Sequence, residues 1–211
     1  MNTLYPIFLK TENFHILIVG GGIVGTEKLS FILKNSPESN ITLVAKEISP
    51  EIRSIVDRRP SIVLIEKAFE SSDLENKQLA IAATADKALN ESIYRAAKAK
   101  SILINVADTP ELCDFYLGSI VTKGDLKIAI STNGKSPTLS KRIREFFEDI
   151  LPDNINDLIL NLNEYRKTLK GNFEEKVDAL NEITKSLKKK KEQKSGCFFL
   201  YRNKMITLRV I

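Results

Sequence analysis

The residues best suited to chemistry are a set of glycines and one aspartate. Gly20, Gly22 and Gly25 stand in the spacing G-x-G-x-x-G, directly after the apolar run Phe14–Val19. In that pattern the first glycine permits a tight strand-to-helix turn. The second lets backbone approach a pyrophosphate with no Cβ in the way, and the third lets the helix lie close to the strand. The N–H groups opening that helix, with the positive end of its dipole, form an anion site. Asp108 lies beyond the last of a series of apolar runs. A carboxylate there can take a proton from a substrate while a hydride leaves to a cofactor. Spacing alone gives Asp108 a second role of equal standing, as the cap or turn residue of Asp108-Thr109-Pro110-Glu111.

The elements that must position these residues follow from the hydrophobic pattern. Helical spacing at Leu29, Ile32 and Leu33 continues the glycine turn, and the Asn35–Asn40 stretch, with Ser36, Pro37 and Ser39, reads as a loop. Strands are expected at Ile41–Ala45, Ile62–Ile65, Leu79–Thr84 and Ile102–Val106. Between them come helical spacing at Ile48, Ile52, Ile55 and Val56, a short helix over Ser71–Lys77, and a helix over Asp86–Lys100. Nearly continuous apolar strands alternating with helices imply a parallel sheet covered on both faces. With the glycine turn first, the fold class is α/β, a Rossmann-like doubly wound parallel sheet. Ligands of such sheets bind outside the carboxyl ends of the strands. Those ends are the glycine turn, Ala45-Lys46, Thr84 and the segment from Asn105 to Asp108. At Lys46 the common ribose-binding acid is missing; Lys46 suits a 2′-phosphate and Glu47 suits NAD, so these residues leave NAD and NADP both open.

The remainder changes character. The runs Phe115–Val121 and Leu126–Ser131 flank Thr122-Lys123-Gly124-Asp125, a hairpin signal. Ser136 and Pro137 then open a helix as N-cap and first residue, with Leu139, Ile143, Phe146, Phe147 and Ile150 on one stripe. Two further amphipathic helices are expected, the second capped by Asn172 with Glu175 three residues on. The lead-in residues Leu4, Ile7, Phe8 and Leu9 are able to pack against the sheet.

Composition excludes several classes. At 43% hydrophobic and 28% charged, the 211 residues read as an ordinary soluble protein with room for a sizeable core. No apolar run approaches the roughly 18 residues of a membrane span, and the start lacks signal-peptide regions, so a cytoplasmic location is expected. Cys113 and Cys197 share no metal-type spacing and read as free thiols; His15, the single histidine, reads as structural. The net charge of +5 arises entirely after residue 150, much of it from Lys188–Lys191. Without aromatic interleaving or a DNA-binding motif, that run reads as a solvated helix end, and no nucleic-acid partner is expected.

Four features occur together and in order: Tyr5-Pro6-Ile7-Phe8-Leu9; Val19 to Lys28; Ile81–Thr84 leading to Asn105-Val106-Ala107-Asp108; and Ser131-Thr132-Asn133-Gly134-Lys135-Ser136-Pro137. Over about residues 1–165 the chain resembles the precorrin-2 dehydrogenase (siroheme synthase) family. The resemblance implies NAD as cofactor and oxidation of precorrin-2, an anionic tetrapyrrole, to sirohydrochlorin on the route to siroheme. It implies a homodimer whose active sites are each formed partly by the partner. The family's catalytic aspartate falls on Asp108, and its NAD contacts fall on Ile23-Val24 and Ala45-Lys46. Substrate carboxylates are expected near Asn105, Lys135 and Ser136, with Lys141 and Arg142 beside them; a solvated helix face is an equal reading of these basic residues. Some members also insert Fe2+ into sirohydrochlorin, and whether this chain does is open. Gly25 stands where many members have alanine, Thr132 where some have serine, and residues 195–211 match nothing in the family.

The expected organisation is an NAD-binding domain over 1–112, a hairpin-and-helix dimerisation region over 113–150 and a helical C-terminal region over 151–211. The rival reading is a nucleotide-sensing Rossmann regulatory module of a cation transport system. Such modules share the glycine turn and usually carry an acid ending the second strand.

Overall fold

The computed structural model of the chain describes residues 2–185, 197–201 and 204–208. The run Lys188–Lys191 and residues 195–196 lie outside them. The chain divides into two compact units, Met1–Asp153 and Asn154–Ile211.

The first unit is built on five strands: β1 (His15–Val19), β2 (Asn40–Ala45), β3 (Ile62–Glu66), β4 (Leu79–Ala82) and β5 (Leu103–Val106). All pair in parallel, in the order β3-β2-β1-β4-β5. Because successive side chains point to opposite faces, β1 splits its residues between two cores. Ile16 and Ile18 pack with Leu29, Ile32 and Leu33 of α1 (Ile23–Asn35) and Ile52 of α2 (Pro50–Val56). Leu17 and Val19 pack with Ile93 and Ala97 of α3 (Lys87–Ala99). This is the doubly wound Rossmann-like sheet expected from the alternation, with chain reversal on either side of β1.

The caps behave as their residue types dictate. Ser49 accepts from the Ile52 N–H at the start of α2, and Asp86 accepts from the Ala88 and Leu89 N–H groups at the start of α3. The segment read as a short helix over Ser71–Lys77 is a single 3-10 turn, Ser71–Leu74. The lead-in departs from expectation. Residues 2–10 form no regular element, and Ile7 and Phe8 are 58% and 68% exposed. Helices cover the central strands, while Val63 on β3 and Leu103 on β5 also stay exposed, so the lead-in does not pack onto the sheet.

After β5 come a hairpin, β6 (Ser119–Lys123) with β7 (Leu126–Ile130), and the helix α4 (Pro137–Ile150). The strand expected from Phe115 starts only at Ser119. Phe115 and Leu117 pack instead onto the core beside β1 and α1. Ser119 and Ser140 share a hydrogen bond of 2.7 Å that joins hairpin to helix. The apolar stripe of α4 is largely uncovered, with Leu139, Phe146 and Ile150 exposed.

The second unit holds α5 (Ile155–Thr168), α6 (Phe173–Thr184) and an antiparallel pair, β8 (Cys197–Tyr201) with β9 (Lys204–Leu208). The expected capping box at Asn172 and Glu175 is present. Neither α5 nor α6 has a buried residue. No helix among the described residues is long and apolar enough to cross a membrane.

Candidate functional site

The glycine turn is shaped by contact rather than by flexibility. Gly20 has φ +130°, and a Cβ on it would strike the Ala83 carbonyl at the end of β4. A Cβ on Gly25 would strike the Gly20 carbonyl, so helix and turn are in van der Waals contact. Gly21, an unspecified position in the motif, is equally constrained, because its Cβ would meet the Glu47 carbonyl. Gly22 differs: a Cβ there would find nothing within 4 Å. It opens α1 with no side chain capping the first turn. The N–H groups at the start of α1, Ile23 and Val24 among them, therefore face outward with the helix dipole behind them. Thr26 Oγ1 donates to the Gly22 carbonyl at 3.0 Å and Ser49 N to the Gly21 carbonyl at 2.9 Å, which fixes the turn from outside. A cradle with open space beyond Gly22, backed by open N–H groups, fits a dinucleotide pyrophosphate.

The other strand ends lie alongside. Ala45 is buried at the end of β2, and Lys46 and Glu47 follow it into solvent. Thr84, just past β4, spends its polar groups on Asn90. Its hydroxyl donates to Asn90 Oδ1 at 2.7 Å, and its carbonyl accepts from Asn90 Nδ2 at 3.0 Å. Thr84 thus contributes a fixed backbone rather than a free hydroxyl. Asn105 is also committed: its Nδ2 donates to the Phe115 carbonyl at 2.8 Å. It holds the chain leaving β5 and lines the cleft from beneath. Asp108 is exposed, at φ +56°, with no hydrogen bond or ion pair among the described residues. It caps nothing, since the 3-10 turn Pro110–Leu112 has no side-chain cap. β4 lies between β1 and β5, so the turns after β1 and β5 are separated by two strand spacings, about 10 Å.

Asp108 opens onto a cleft of about 570 Å3. One wall is α1, through Lys28, Phe31 and Lys34; another is the segment from Tyr116 to Ile120; a third is α4, through Ser140, Lys141 and Arg144. Lys28 is paired with Glu27 at 2.9 Å and Arg144 with Glu148 at 2.5 Å. Lys34 and Lys141 make no ion pair among the described residues. The cleft is thus roomy and carries unneutralised positive charge, as an anionic ligand requires. The glycine turn itself does not line this cleft, which meets α1 from Glu27 onward.

Lys135 and Ser136 sit at the start of α4 but do not line the cleft. Ser136 Oγ accepts from Leu139 N at 3.2 Å as the N-cap, and Lys135 is exposed. Arg142 binds Glu145 at 2.7 Å and pulls that carboxyl below its ordinary range. Sequence reasoning missed Lys28, Phe31 and Lys34 as a cleft wall, although their i, i+3, i+6 spacing after Gly25 marks one helix face. It also left Cys113 as an uninvolved thiol, whereas Cys113 lies in the cleft floor, where burial pushes its pKa up. No group of three or more His, Cys, Asp or Glu among the described residues could hold a metal ion.

A glycine cradle, an open helix start and a free carboxyl two strands away are the marks of a dinucleotide-binding Rossmann-like domain. Comparison with known proteins agrees. Residues 7–119 match a family model described as putative NAD(P)-binding, and residues 123–150 match the model for the central part of sirohaem biosynthesis proteins. The siroheme synthase of Pseudoalteromonas atlantica is 36% identical over 169 residues, covering 80% of this chain and 36% of that protein. That of Psychromonas ingrahamii is 38% identical over 165 residues, covering 78% and 34%. The chain spans about a third of the length of these curated relatives. Among solved structures, SirC, a precorrin-2 dehydrogenase, superposes with a TM-score of 0.67 at 27% identity, covering 85% of this chain and 89% of that one. The chain belongs to the siroheme synthase and precorrin-2 dehydrogenase family of putative NAD(P)-binding proteins.

Proposed function

We propose that this chain is a precorrin-2 dehydrogenase, oxidising precorrin-2 to sirohydrochlorin with NAD. The observation that carries the proposal is Asp108: a carboxyl on a positive-φ turn, unpartnered among the described residues, opening onto a cationic cleft that meets α1 just past the glycine turn. Bound NAD+ supplies the hydride acceptor. Gly20, Gly22 and Gly25 with the first N–H groups of α1 hold its pyrophosphate, and Ala45-Lys46 border its ribose. Lys34 and Lys141 attract the substrate's carboxylates, and Asp108 takes the proton released as the carbon skeleton gives up a hydride. Hydride and proton together account for the two hydrogens lost.

The proposal extends to assembly and location. The exposed stripe Leu139, Phe146 and Ile150 on α4 suits a second copy of the chain, making 113–150 a dimerisation region of a cytoplasmic homodimer. Light scattering on the purified chain tests the dimer. Incubation with precorrin-2 and NAD+, followed by absorbance, tests the reaction. Wild type forming sirohydrochlorin and NADH while Asp108→Ala forms neither supports the assignment; equal rates from both refute it. Adding Fe2+ as substrate to sirohydrochlorin measures metal insertion separately. No feature of the site favours the nucleotide-sensing alternative.

A further inference from the structure

Asp108 occupies the third position of a tight turn that runs from Val106 to Thr109, closed by Thr109 N donating to the Val106 carbonyl at 3.3 Å. Positive φ at that position suits glycine, and for a residue with a Cβ it persists only where the surroundings impose it. Ala107 N donates to the Ala82 carbonyl at 2.9 Å and Thr109 Oγ1 to the Ala107 carbonyl at 3.3 Å, and one further side chain reaches both ends of the turn. Cys113 Sγ lies 3.2 Å from the Val106 carbonyl and 3.4 Å from the Thr109 carbonyl, so its S–H can be given to either end of the turn. The same sulfur accepts from Val106 N at 3.3 Å and from Asn105 Nδ2 at 3.4 Å. Four polar groups therefore converge on one thiol directly beneath the residue that faces the cleft.

The chain on the far side of that thiol is itself anchored. Asp114 N donates to the Ile104 carbonyl at 2.7 Å, and Asp114 Oδ2 accepts from Ile104 N at 3.1 Å. Lys98 holds the other carboxylate oxygen at 2.7 Å. Cys113 is thus fixed to β5 and cannot follow the turn if the turn relaxes. We infer that the Cys113 thiol is a positioning residue, which holds the Val106–Thr109 turn in the conformation that presents the Asp108 carboxyl to the cleft. This rests on the proposed role of Asp108 and adds to it. The thiol must carry its proton to do so, because a thiolate would face two carbonyl oxygens.

The test uses the full chain with Cys113→Ala and Cys113→Ser. Serine keeps a donor and acceptor on a shorter arm; alanine keeps neither. Cys113→Ala is expected to lower kcat by about ten- to a hundredfold, the loss that a misplacement near 1 Å can produce, with KM for precorrin-2 and NAD+ held within about twofold. Cys113→Ser is expected to recover most of that loss. Hydrogen exchange gives a second readout: in Cys113→Ala the Val106 and Thr109 amides exchange about tenfold faster, while amides of β1 and β4 do not change. An alanine variant with unaltered kcat and unaltered exchange overturns the inference. So does one that loses thermal stability while keeping full kcat per folded molecule. A wild-type chain inert toward precorrin-2 refutes the proposed function instead, and the exchange result then decides the role of the thiol alone.

Discussion

Two turns, two strands apart, hold the backbone in the same unusual half of conformational space by different means. At Gly20 the positive φ is reached by removing the side chain, and the vacated space is taken by the Ala83 carbonyl. At Asp108 the side chain is retained, and the turn around it is held by hydrogen bonds from neighbours: Ala107 N to the Ala82 carbonyl, Thr109 Oγ1 to the Ala107 carbonyl, and the Cys113 thiol to both ends. The first turn needs only to let a ligand's phosphates approach backbone, which glycine does without assistance. In the proposed function the second presents a carboxyl, so it keeps a Cβ at positive φ and requires bracing. Cradle turns can therefore be read from glycine spacing, whereas turns that display a reactive group hide their supports elsewhere in the chain.

The comparison can be broken most sharply at Asp108. Asp108→Ala is expected to reduce kcat for precorrin-2 oxidation by about 10²–10⁴-fold, the range for loss of a general base, with NAD+ binding by calorimetry unchanged. Next is Gly20→Ala. A Cβ at positive φ costs about 1–3 kcal/mol before the collision with the Ala83 carbonyl is counted, so the denaturation midpoint should fall sharply. Gly22 should behave differently because it is open. Gly22→Asp leaves the fold intact and weakens NAD+ binding about tenfold or more through charge and bulk at the pyrophosphate, as a titration would register.

Two smaller effects sharpen the contrast. Burial raises the Cys113 thiol pKa, so alkylation should be slow at neutral pH and accelerate only above the ordinary thiol range. The sign for stability is set by the same shift. The folded chain holds this proton more tightly than the unfolded one, so the contribution is full below the unfolded pKa and declines as pH rises through the folded value. Smallest is the stability change in Asp108→Gly, which relieves the positive-φ cost and should raise stability by up to about 1 kcal/mol while lowering kcat as Asp108→Ala does. Lower stability for Asp108→Gly than for Asp108→Ala would mean the turn stores no strain, because glycine gains more freedom on unfolding.

Much of this molecule was legible before folding. The apolar runs fixed five strands, their alternation with helices fixed a parallel sheet, and the glycine spacing fixed where its ligand end lies. The caps at Ser136 and Asn172 were equally plain. All of these are short-range properties, carried by the period of a pattern or the chemistry of adjacent residues. What only the tertiary structure decided depends on groups distant in sequence meeting at fixed distances. The lead-in lies exposed, with Ile7 and Phe8 off the sheet. Lys34 on α1 and Lys141 on α4 share a cleft, while Lys135 and Ser136, nearer in pattern to the motif, do not line it. Thr84 and Asn105 turned out to be committed inward, to Asn90 and Phe115. Periodicity assigns a residue to a face, but which polar atoms satisfy one another is settled only when those faces pack.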